Sequence, residues 1–95
     1  MAAYIVIDIN VTDPDTYMTY RQLVPPTVAR YGGRYLARGG VAETLEGTWA
    51  PTRLVILEFP NIEQAKAWVD SPEYAPAREL RHRTAQSEMV VIQGT

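Results

Sequence analysis

The sequence predicts an α+β fold: a four-stranded antiparallel sheet with helices on one face. Three observations lead there. The first residues alternate apolar and mixed side chains with the period of a strand. Two later stretches repeat apolar residues at helical spacing behind capping residues. The turn residues between them order the elements as strand, helix, strand, strand, helix, strand.

Ala3 to Val11 reads as the first strand. Ala3, Ile5, Ile7, Ile9 and Val11 share one face, all apolar, and Tyr4, Val6, Asp8 and Asn10 share the other. Asp13 and Pro14 open a helix, the first as a cap and the second where a missing N–H costs nothing. Tyr17, Tyr20, Val24 and Val28 form its apolar stripe. Pro25-Pro26 predicts a kink or restart, because proline removes a backbone donor and restricts the residue before it. Tyr31-Gly32-Gly33 ends the helix. Arg34 to Arg38 reads as the second strand, broken by Gly39-Gly40, with a short strand or hairpin arm over Val41 to Gly47 and a loop from Thr48 to Thr52. Arg53 to Phe59 is the third strand. Asn61 with Gln64 makes a capping-box pattern before a helix whose apolar side is Ala65, Trp68 and Val69. Ser71-Pro72 starts a further helix to about Thr84, with a loose first turn at Pro76. Glu88 to Gln93 closes the sheet. This is the split βαβ, or ferredoxin-like, arrangement, and residues 1–95 read as a single domain.

Composition narrows the function. The chain has 95 residues, a net charge of −2 and 46% hydrophobic residues, which suits a globular protein. A mildly acidic chain has no general attraction for nucleic acid or an anionic membrane. It contains no cysteine, which removes disulfides, thiolate nucleophiles and thiolate metal sites. No basic residue precedes Arg21 and no apolar run spans a bilayer, so a cytoplasmic location is expected. With a single histidine, His82, no ligand spacing supports a metal, and no cofactor is expected.

Helices cover one face of such a sheet and leave the other bare. That face carries Tyr4, Val6, Leu54 and Ile56 on the first and third strands, read as central and parallel. Two copies packing face to face would cover this apolar patch, which predicts a homodimer. The alternative is that the loop from Gly39 to Thr52 folds over it. Leu54, Ile56 and Glu58 also stand where RNA-recognition domains of this topology present stacking aromatics, which argues against RNA.

Two sets of residues are candidates for chemistry. Asp8 and Glu58, placed at similar positions on the bare face, are an acid/base pair or else ion-pair partners of Arg34 or Arg38 that fix dimer register. Tyr74 and Arg81 lie seven residues apart on one helical stripe, and with Trp68 they could wall a pocket for a planar carboxylate. Alternatively Trp68 fills the core and Arg81 reaches water. Arg38 and Glu58 are further polar candidates for that pocket.

The stretch Tyr31-Gly32-Gly33-Arg34-Tyr35-Leu36-Ala37-Arg38-Gly39-Gly40 closely resembles the family called domain of unknown function 1330. So do Leu45-Glu46-Gly47, Trp49, Arg53, Glu58-Phe59-Pro60, Ala65, Trp68 and Ser71-Pro72-Glu73-Tyr74. The resemblance covers essentially the whole chain. It implies the dimeric α/β-barrel superfamily, whose members include cofactor-independent monooxygenases, isomerases and haem-degrading enzymes with a small pocket between sheet and helices. It supplies no catalytic residue. Asn10, Trp68 and His82 resemble the Asn, Trp and His of the haem-degrading branch, although the Trp68 to His82 spacing departs from that pattern. Two functions are therefore carried forward: a dimer that binds or converts a small anionic or aromatic metabolite, and a non-catalytic dimeric module. A monooxygenase, cofactor-independent or haem-degrading, stands behind both.

Overall fold

In the computed structural model, which describes residues 1–95, the chain runs β1 (Ala3–Val11), α1 (Pro14–Arg30), β2 (Arg34–Gly40), β3 (Leu54–Phe59), α2 (Ile62–Asp70), α3 (Ala75–Thr84) and β4 (Ala85–Gln93). The sheet order is β2-β3-β1-β4, and every neighbouring pair is antiparallel. The predicted α+β class and βαββαβ order therefore hold, with the second helical region divided into α2 and α3. No helix is long and apolar enough to cross a membrane.

Period-two alternation builds the core as the sequence predicts. Ile5, Ile7 and Ile9 of β1 and Val55, Leu57 and Phe59 of β3 are buried under the helices. Tyr17, Tyr20, Val24 and Val28 of α1 meet them. Caps fix the helix starts: Asp13 Oδ1 accepts from Thr16 N–H, and Asn61 Oδ1 from Gln64 N–H at 2.8 Å. The Gln64 side chain does not complete the box but donates to the Tyr31 carbonyl at 3.2 Å, tying α2 to the end of α1. Ser71 Oγ accepts from Tyr74 N–H at 3.1 Å, so Pro76 falls in the first turn of α3, where its missing N–H is tolerated. At Gly33 a Cβ would lie 2.6 Å from Phe59 Cε1 and 2.9 Å from Val28 Cγ1, so only glycine lets the chain leave α1 this close to the core.

Four expectations need correction. α1 does not restart at Pro25-Pro26; it stays helical from Pro14 to Arg30. β2 continues through Gly39 and Gly40, and residues 41–53 carry no strand. β4 starts at Ala85, immediately after α3, rather than at Glu88. β1 and β3 are antiparallel, not parallel. Asp8 stands opposite Leu54 and Glu58 opposite Tyr4. Four residues of strand then separate the two carboxylates, roughly 13 Å at a rise of about 3.3 Å per residue, so they do not form an acid/base pair.

The strand β2 has a less regular register. Tyr35 pairs with Leu57, Ala37 with Ile56 and Arg38 with Val55, leaving Leu36 as an extra residue. Under strict alternation Tyr35 and Arg38 would point to opposite faces. The bulge at Leu36 returns both to the helix-covered face.

Candidate functional site

The feature that gathers most chemistry is a cleft between α1 and the sheet. Its floor is apolar: Ile7, Ile9, Val24, Val55, Leu57 and Trp68. Its polar lining is Tyr17, Tyr20 and Tyr35 with Arg21, Arg38 and Arg53. The cleft with its open mouth encloses about 370 Å³, of which the cavity proper is only about 20 Å³. The cleft as it stands accommodates one water, and a larger ligand must displace a lining side chain.

The arginines at the mouth are held by aromatic faces and one backbone carbonyl. The Arg38 guanidinium lies 4.7 Å from the Tyr35 ring centroid, and that of Arg53 lies 5.5 Å from the Tyr17 centroid. Arg38 Nη2 donates to the Arg21 carbonyl at 2.6 Å. That carbonyl is free for a reason visible in the sequence. Its helical partner would be the N–H four residues on, and that residue is Pro25. Gly39, at φ +72°, leaves room for Arg53, because a Cβ there would come within 2.9 Å of Arg53 Nη1.

Behind the cleft runs a buried hydrogen-bond chain. Arg81 Nη1 donates to Tyr74 Oη at 2.7 Å, and Tyr74 Oη lies 2.9 Å from Tyr20 Oη. Arg81 is 4% exposed, its Nε has no hydrogen-bond partner, and its Nη2 lies 3.1 Å from His82 Nε2. The ion pairs of the protein are Arg30–Glu73 and Arg34–Glu58, so no carboxylate pairs with Arg81. Burial raises the hydroxyl pKa of Tyr17, Tyr20 and Tyr74, and lifts that of Tyr35 to about 12. All four phenols are therefore neutral donors at physiological pH.

Trp68 and Tyr74 are fully buried, with stacked rings 4.1 Å apart. The Trp68 indole N–H donates to Thr27 Oγ1 at 3.0 Å. Of the pocket residues named from sequence, Trp68 and Arg38 line the cleft, while Tyr74 and Arg81 stand behind it and reach it through Tyr20. Glu58 is elsewhere: it lies on the bare face and accepts from Arg34 Nε at 2.7 Å. Asp8, also on the bare face, accepts from the Trp49 indole at 2.9 Å. Asn10 is on that face too and His82 is exposed on α3, so neither joins Trp68 in one site. No three His, Asp or Glu side chains converge as metal ligands.

Sequence reasoning missed Tyr17, Tyr20, Tyr35, Arg21 and Arg53 as cleft residues. A signal existed in α1. Its core stripe places two phenols where aliphatics would pack as well, with Arg21 one turn after Tyr17. The side of the sheet on which Tyr35 and Arg38 fall depends on the bulge, which alternation does not reveal.

Comparison with solved structures gives the same fold over almost the whole chain. A protein of unknown function from Rhodopseudomonas palustris superposes with a TM-score of 0.78 at 17% identity, covering 99% of this chain and 82% of that one. A dimeric ferredoxin-like protein of unknown function from Thermobifida fusca gives 0.70 at 15%, covering 99% and 92%. SnoaB, a cofactor-independent oxygenase from Streptomyces nogalater, gives 0.68 at 11%, covering 99% and 93%. At such identities these likenesses establish the ferredoxin-like fold. No match was found among curated proteins. The family model described as domain of unknown function (DUF1330) matches residues 2–95, and the chain belongs to that family.

Proposed function

We propose that this protein is a homodimer that binds a small planar organic anion in the cleft between α1 and the sheet. The observation that carries this reading is the lining itself: an apolar floor with Tyr17, Tyr20 and Tyr35 on its walls and Arg21, Arg38 and Arg53 around it. Flat apolar surfaces and phenol rings favour an aromatic body, and guanidinium groups favour a carboxylate or similar oxygen anion. Entry requires the mouth to open. Arg38 is exposed and tethered by one side-chain hydrogen bond, so it is the group that swings. Trp68 forms part of the floor, while Tyr74 and Arg81 act from behind the wall. Glu58 and Asp8 belong to the bare face, which serves pairing of the two copies. The fold shared with SnoaB is compatible with conversion of the bound molecule as well as with binding, and binding is the step this lining supports. Neither nucleic acid nor a membrane is part of the reading, and a cytoplasmic location suits it.

The test compares naphthoate with its uncharged amide by calorimetry and thermal shift. Naphthoate should bind and raise the melting temperature by mass action, and the amide should do so far less. Arg38→Leu should weaken naphthoate roughly tenfold, the scale of one charge-assisted hydrogen bond. Equal affinity for acid and amide, or binding untouched by Arg38→Leu, would remove the cleft as an anion site and favour the non-catalytic dimeric module.

A further inference from the structure

A buried guanidinium without a carboxylate partner needs another outlet for its charge, and Arg81 has one. Arginine can only donate, so Tyr74 Oη is the acceptor of their bond. Tyr74 is fully buried and its hydroxyl has no acceptor in reach other than Tyr20 Oη, 2.9 Å away, so its proton points there. Tyr20 then accepts from Tyr74, and its own proton is left to point elsewhere. Tyr20 is part of the cleft wall. Each donor in such a chain is polarised by the one behind it, and the cation stands at its head.

We infer that the Arg81–Tyr74–Tyr20 chain ends in a polarised O–H donor aimed at a single oxyanion, a phenolate or enolate oxygen, on the molecule in the cleft. This rests on reading the cleft as an organic-anion site and adds the class of ligand. A carboxylate matches the flat fork of an arginine, which grips both of its oxygens. A lone phenol donor grips one oxygen and favours the charged state of that oxygen over its protonated form. The ligand therefore enters with its phenolate or enolate oxygen toward Tyr20, leaving the arginines for whatever acidic group it carries at the other end. Tyr20 would touch the ligand. Tyr74 and Arg81 are positioning residues that set the direction and strength of its proton.

The probe is para-nitrophenol, whose phenolate is yellow and whose protonated form is not. Its titration is followed by absorbance when bound to the wild-type protein, to Tyr20→Phe and to Tyr74→Phe. Both variants keep the ring, so the stack of Tyr74 on Trp68 survives. The bound probe should titrate about one pH unit higher in either variant than in the wild type, which is a tenfold loss of preference for the phenolate. Tyr74→Phe is the informative variant, because Tyr74 stands behind the cleft wall and a purely local contact at Tyr20 would leave its titration unchanged. Binding that Arg38→Leu weakens, with titration identical in all three proteins, would overturn the oxyanion chain and leave the cleft reading intact. Failure of the wild type to bind the probe while it binds naphthoate would also overturn the chain. Failure to bind either would overturn both.

Discussion

His82 is the second side chain that holds Arg81, beside Tyr74. Arg81 Nη2 donates to its Nε2, so the imidazole is neutral there, with its proton on Nδ1. Partial desolvation, with the charges of Arg81 and then Arg78, lowers its pKa below the ordinary 6.5, against a smaller opposing effect of Glu79. The sign follows from linkage. Below 6.5 the unfolded chain takes up a proton that the folded protein resists, so stability falls as pH falls, until the lower folded pKa is passed. Glutamine at this position keeps an acceptor at every pH. Melting temperatures measured in steps below neutrality should therefore drop less for His82→Gln than for the wild type. The difference should be small, because the side chain is largely exposed. Parallel curves would mean that the Arg81–His82 contact carries no coupling.

At the scale of elements, α1 and β2 show what alternation and periodicity could and could not convey. The buried stripe Tyr17, Tyr20, Val24 and Val28 was legible at helical spacing, and so was the core face of β1. The uninterrupted helix through Pro25-Pro26 was not. Proline propensity is local, whereas the packing of Val24 and Val28 against the sheet holds the helix together on either side of the pair. The bulge at Leu36 was equally hidden, because it exists only in the pairing of β2 with β3. Two irregularities thus position Arg38: the bulge turns it to the helix side, and Pro25 frees the carbonyl it holds. A substitution can separate stability from binding here. Pro25→Ala restores the helix's own hydrogen bond to the Arg21 carbonyl and should stabilise the fold, by up to about 3 kcal/mol. The restored N–H competes with Arg38 for that carbonyl and loosens its tether, so naphthoate affinity should fall while the midpoint of urea unfolding rises. A variant that gains stability and binds as well as the wild type would show that Arg38 needs no tether.

For the whole molecule, the question is what the bare face of the sheet is for. The apolar patch on β1 and β3 was legible from sequence, and β4 extends it: Val90 pairs with Val6 and Ile92 with Tyr4, and these two are 61% and 59% exposed. The antiparallel sheet read from the element order already implied opposed central strands, and reading them as parallel against it is what set Asp8 and Glu58 side by side. The loop over residues 41–53 reaches one end of this face through the Trp49–Asp8 hydrogen bond, yet leaves Val90 and Ile92 open to solvent. Helices already occupy the other side, so a second sheet about 10 Å away is the simplest cover for side chains of this kind. Ile56 is the position at which to test the proposed dimer. It pairs with Val6, which pairs on its other side with Val90, so the three form an apolar row across the middle of the face. An aspartate there would have to lose its hydration in the dimer with no cation opposite it in this row, at a cost of several kcal/mol per copy. In the free monomer the same aspartate stays in water, and β3 remains held between β1 and β2. Light scattering coupled to size exclusion should therefore give twice the 10.7 kDa chain mass for the wild type and one chain mass for Ile56→Asp, with the helical circular dichroism of both alike. A wild type that elutes as one chain at micromolar concentration would mean that this face is covered by something other than its own copy.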